Sequence, residues 1–97
     1  MKALGYAPNA IVDLEEIIDH IALDDPARAL TFVAELEAKA AQTAERPKSF
    51  RSREELGPGI RSAVHGSYII FFRELDTEVR IVHVVHGRRD LRKLTFD

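Results

Sequence analysis

Ile60-Arg61-Ser62-Ala63-Val64-His65-Gly66-Ser67-Tyr68-Ile69-Ile70-Phe71-Phe72-Arg73-Glu74 carries the fold of this chain. Side chains on a strand alternate between two faces. Arg61, Ala63 and His65 therefore share one face of a first strand, Ile60 to His65. Tyr68, Ile70 and Phe72 share a face of a second, Tyr68 to Glu74, with Ile69, Phe71 and Arg73 opposite. Gly66-Ser67 between them has the form of a two-residue hairpin turn with glycine first. Asp76-Thr77 sits in a second turn. Val79 to His86 then reads as a third strand, apolar on both faces and hence central. Gly87 ends it.

Upstream the period changes from two to 3.6. Lys2 to Ala7 reads as a short strand, ended by Pro8-Asn9 with Asn9 as a helix N-cap. Ile11, Leu14, Ile18 and Ile21 then recur at steps of three and four, with Ile17 beside them, and read as core. Asp13, Glu15, Glu16 and Asp19 fill the other face. Asp24-Asp25-Pro26 breaks this helix and starts another, with Asp25 as N-cap and Pro26 at the first helical position. Ala29, Val33, Leu36 and Ala40, with Phe32, form its apolar line. It runs to about Arg46, where Pro47 stops it. Lys48 to Gly59 reads as a polar loop. The expected architecture is α+β in the order β-α-α-β-β-β: a helical hairpin packed on one face of a small, mainly antiparallel sheet.

The chain has 97 residues, 45% hydrophobic and 31% charged, with a net charge of −2. That length holds one core, so residues 1–97 are expected to form a single domain. There is no cysteine, which excludes disulfide scaffolds, thiolate metal sites and thiol nucleophiles. The longest unbroken apolar run is Tyr68 to Phe72, too short to span a membrane, and no long apolar segment opens the chain. A cytoplasmic protein is expected. The charge is polarised: residues 1–45 hold three Lys/Arg against nine Asp/Glu, residues 46–97 eleven against seven. The basic half could face an anionic partner, or simply be solvated.

Four candidate groups follow. His83 and His86 look like a metal pair, but residues three apart on a strand face opposite ways unless it bulges. His65 and His86 could meet at a strand end, yet no cysteine or clear carboxylate partner accompanies them; no metal and no cofactor is expected. Arg61, His65, Arg73 and His86 are the cationic strand residues suited to acid–base work on a phosphodiester, or to plain solvation. His86-Gly87-Arg88-Arg89-Asp90-Leu91-Arg92-Lys93 is the densest polar cluster. It is either a contact surface or a short helix start with Asp90 paired to an arginine, and Phe96 behind it is an apolar anchor. Leu30, finally, lies off the core line of its helix and suits an apolar contact with a partner segment.

Taken together these residues resemble the RelE/ParE toxin superfamily, and its ParE branch in particular. The resemblance is carried by Tyr6, Ala10 and Asp13-Leu14-Glu15-Glu16-Ile17; by Asp25-Pro26-Ala27-Arg28-Ala29, Phe32 and Pro47; by Leu56-Gly57-Pro58-Gly59-Ile60-Arg61-Ser62 and His65 to Arg73; and by Ile81 to Leu91. It implies the toxin of a bacterial type II toxin–antitoxin pair, of the plasmid-stabilising kind. Its implied partner is a ParD-like antitoxin forming a hetero-oligomer and contacting Leu30, Arg61, Tyr68 and Arg73 through an apolar, acidic segment. The implied target is DNA gyrase, poisoned without catalysis through His86, Arg88, Arg89, Asp90, Leu91, Arg92 and Lys93. The toxin alone would not bind DNA sequence-specifically. The RelE branch implies instead a ribosome-dependent mRNA endonuclease using Arg61, His65, Arg73 and His86. RelE-like enzymes often add a C-terminal tyrosine, and here no tyrosine follows Tyr68.

Overall fold

A computed structural model describes residues 2–96. The order is β1 (Ala3–Tyr6), α1 (Pro8–Ala22), α2 (Pro26–Glu45), β2 (Arg51–Ser52), β3 (Ile60–His65), β4 (Tyr68–Glu74) and β5 (Glu78–His86). The sheet runs β1-β5-β4-β3-β2. Its β2-β3-β4-β5 part is antiparallel, and β1 joins β5 in parallel. The expected α+β architecture stands; β5 is an interior strand between β1 and β4, and β4 is the central one. Short 3₁₀ turns occupy Pro47–Ser49, Glu54–Leu56 and Leu91–Lys93.

Each boundary has a local cause. Asp25 caps α2, its carboxylate accepting from the Arg28 N–H at 3.0 Å, with Pro26 first in the helix. Gly66 turns β3 into β4 at φ +57°, a region that costs glycine little. Two expectations need correction. α1 begins at Pro8, not after Asn9: Ala7 is the N-cap residue and supplies no side-chain cap. The fixed φ of proline starts the helix instead. The stretch 48–59 is not all loop, because Arg51 and Ser52 pair with Ser62 and Arg61 as β2.

The sheet is apolar on both faces. Ile70, Phe72, Val79, Ile81 and Val84 meet Ala10, Ile17, Phe32, Leu36, Ala40 and Ala44 of the helices. Ile60, Phe71, Val82 and Val85 meet Phe96 and, at the margin, Leu56, Leu91 and Leu94. The anchor read in Phe96 is real: its ring lies 5.0 Å from that of Phe71. β5 serves both faces through a bulge. Phe71 pairs with His83 and Phe72 with Ile81, so Val82 is an extra residue. The bulge places Val84 and His86 on the helix face with Val79 and Ile81, and sends Val82 and Val85 to the other.

A further correction concerns Asp13, which the sequence pattern assigns to the solvent face. It is buried. β1 stops at Tyr6, opposite Ile81, so the edge of β5 beyond that point has no strand beside it. Asp13 fills the gap. Its Oδ2 accepts the Val84 N–H at 2.9 Å and His83 Nδ1 at 2.6 Å. A carboxylate can only accept, so Nδ1 carries the proton. Ile11, by contrast, is not core but 47% exposed.

Candidate functional site

The candidate residues separate into three surfaces. The first lies between the helices. Tyr6, Ile11, Leu14, Ile18 and Val33 line an apolar groove of about 310 Å³, with Glu15 and Glu37 on its rim. Burial, then the nearby Glu37 charge, raises the Tyr6 phenol above its ordinary pKa. The sequence did signal this groove, since Ile11, Leu14 and Ile18 are periodic. The stripe, however, is wider than the sheet can cover, and its edge stays open. Leu30 is 72% exposed on α2, as its off-line position predicts, and it is not among the groove residues.

The second surface is the end of the sheet on the helix side. The register sets His65 opposite Tyr68 and Tyr68 opposite His86. Tyr68 lies 5.4 Å, ring to ring, from both His86 and Phe32. His65 is 5.5 Å from Phe32 and bonds Glu35 at 2.9 Å. It therefore has the carboxylate partner that proximity in sequence could not reveal. Glu35 also pairs with Arg28 at 2.6 Å. The Arg28 bond, then that of His65, holds the Glu35 carboxyl down at about 2.

The strand arginines do not join this cluster. Arg61 is on the helix face, but its Nη1 donates to the Phe50 carbonyl at 2.8 Å. Arg73 is on the opposite face, donating to the carbonyls of Pro58 at 3.0 Å and Phe96 at 2.8 Å. Both guanidiniums tie loops to the sheet. Arg61, His65, Arg73 and His86 are thus not one constellation, nor do Leu30, Arg61, Tyr68 and Arg73 form one patch. Despite the bulge, His83 and His86 do not converge: His83 turns to Asp13 and Phe96, His86 to Tyr68. Among the described residues no group of three or more His, Asp or Glu is placed to hold a metal.

The third surface is the basic tail. Arg88, Arg89, Arg92 and Lys93 are exposed. Asp90 caps the Leu91–Lys93 turn by accepting the Arg92 N–H at 3.0 Å. It also pairs with the Arg92 guanidinium at 3.0 and 3.1 Å. That side-chain bond lowers the Asp90 pKa and raises that of Arg92. The cluster is therefore both a capped turn and an exposed cationic surface. Leu91, Leu94 and Phe96 hold it to the sheet.

Comparison with known proteins adds a family. A family model described as the ParE toxin of the type II toxin–antitoxin system, parDE, matches residues 4–91. A solved structure titled as the chromosomal ParDE toxin–antitoxin system from P. aeruginosa superposes with a TM-score of 0.74 at 24% identity, covering 89% of this chain and 96% of that one. The toxin–antitoxin complex RelBE2 from Mycobacterium tuberculosis superposes with a TM-score of 0.61 at 27% identity, covering 88% and 96%. No curated protein matches the sequence significantly.

Proposed function

This chain belongs to the ParE toxin family of type II toxin–antitoxin systems, and on that premise we propose that it inhibits DNA gyrase and is neutralised by a ParD-like antitoxin. The observation that carries the target reading is the basic tail. Exposed Arg88 and Arg89 lead into the capped turn that carries Lys93, with a buried aromatic anchor behind them. Such an exposed cationic surface suits a contact with a large anionic assembly. Asp90 and Leu91 shape the turn, and His86 ends β5 ahead of it. The antitoxin would lay apolar side chains along the groove of Ile11, Leu14, Ile18 and Val33, and would extend past it to reach exposed Leu30, three residues before Val33 on α2. Arg61, Tyr68 and Arg73, spread over two faces, would be met only by a segment that wraps the sheet. The protein acts in the cytoplasm, where gyrase is.

The mRNA-endonuclease alternative requires a base, an acid and a charge stabiliser around one phosphate. Arg61 and Arg73 are spent on main-chain carbonyls on opposite faces of the sheet, which weighs against that assembly. Inducible expression in a bacterium distinguishes the two. The gyrase reading predicts growth arrest with chromosome breaks, intact mRNA, and rescue by the cognate antitoxin. Fragmented mRNA with an unbroken chromosome would overturn it.

A further inference from the structure

The sheet end holds a recess distinct from the apolar groove between the helices, and it shares His86 and Arg89 with the proposed target contact. A recess of about 500 Å³ opens over Tyr68, with Phe32, His86, His20 and Ser67 around it. A narrower one of about 170 Å³ adjoins it, sharing His20, Tyr68 and His86 and adding Arg89. The larger has an aromatic floor: Tyr68 packs against Phe32 and, edge to face, against His86, each 5.4 Å away. A ring packed in this way is a platform on which a planar base can stack. The smaller is rimmed by donors. His86 Nδ1 accepts the Arg88 N–H at 3.1 Å, which leaves Nε2 to carry the ring proton. The Arg89 guanidinium enters no hydrogen bond or ion pair among the described residues. Two of the acids nearby are already engaged. Glu35 bonds Arg28 and His65, and Asp13 bonds His83 and the Val84 N–H. Glu16, on the α1 wall of the smaller recess, opposes an anion there, as does the Asp13 carboxylate that lines it deeper in.

We infer that this double recess binds a nucleoside phosphate, the base stacked on Tyr68 and the phosphate held by Arg89, His86 Nε2–H and His20. The ligand could be a free mononucleotide or the phosphorylated end of a single strand, since the chemistry is shared. The inference does not rest on the gyrase reading, because a protein with any target would present the same recess.

The test is an NMR titration of the isotopically labelled full chain with four probes: adenosine 5′-monophosphate, adenosine, inorganic phosphate, and a 5′-phosphorylated tetranucleotide. The mononucleotide should shift the His20 and His86 imidazole signals and the amides of Gly66 to Tyr68 and Arg89. Adenosine and phosphate alone should each bind about tenfold more weakly, since each satisfies one half of the site. A tetranucleotide that binds the same residues tighter than the mononucleotide identifies a strand end as the ligand; equal or weaker binding identifies the free nucleotide. Arg89→Ala and His86→Ala, both at exposed positions, should weaken binding about fivefold or more with the rest of the spectrum unchanged. Glu16→Gln should strengthen it by removing a repelling charge. No shift at these residues, or equal shifts with phosphate and nucleotide, or a Glu16→Gln variant that binds no better, would overturn the assignment.

Discussion

Asp13 replaces a strand. Its carboxylate holds the Val84 N–H and the His83 imidazole where β1 has ended. Buried groups stripped of their partner cost about 1–3 kcal/mol each. Asp13→Ala, which strands two donors, should therefore lower stability by about 3 kcal/mol in urea unfolding. Asp13→Asn keeps an acceptor oxygen and should cost clearly less; equal losses would refute the bridging role. Glu35 sets a pH dependence. Its carboxyl titrates at about 2 when folded, against an ordinary 4.5. Between those values the unfolded chain binds more protons, so the contribution is present above about 4.5 and lost as the pH falls toward 2. Glu35→Gln should flatten the acid limb of stability over that interval while leaving neutral-pH unfolding cooperative. An unchanged acid limb would show that the Arg28–Glu35–His65 contact is not maintained in solution. Neither interaction was legible in the chain. Asp13 and His83 lie 70 residues apart, and Glu35 and His65 lie 30 apart.

At the scale of elements, the period of the sequence found both helices and β3, β4 and β5, because apolar spacing is imposed by a single dominant core. It mistook boundaries where a cap is made by something other than a side chain. Asn9 looked like an N-cap, yet Pro8 already starts α1. Asp25→Ala should thus destabilise by about 1 kcal/mol, while Asn9→Ala should change stability by less than about 0.5 kcal/mol. Chemical denaturation of the two variants checks this, and the reverse ranking would contradict the cap assignment. The two-residue β2 was unreadable because Arg51 and Ser52 have no strand periodicity; only pairing with Arg61 and Ser62 defines them. The bulge at Val82 was equally hidden. Val79 to Val85 is apolar throughout except for Arg80 and His83, so nothing in the pattern marks where the two faces exchange.

Over the whole molecule, the charge asymmetry read from the sequence becomes a division of surfaces. The helical hairpin carries nine Asp/Glu and two Lys/Arg between Pro8 and Glu45, whereas the tail from Arg88 to Lys93 carries four Lys/Arg and one Asp. The proposed antitoxin groove lies in the first region and the proposed target contact in the second. The apolar side chains of the antitoxin segment expected from the resemblance therefore suit the groove, while its acidic residues suit the basic half beyond the groove's acidic rim. A toxin with two such separate surfaces is neutralised either by competition or by occlusion, and the tail is the part to follow. The direct measurement is a cleavage assay with purified gyrase, supercoiled plasmid, ATP and antitoxin-free protein. Accumulation of linear, protein-linked plasmid, reduced about tenfold or more when Arg88, Arg89 and Lys93 are changed to Glu, is the result this account predicts. Folded protein that leaves gyrase uninhibited and its plasmid uncut would contradict it.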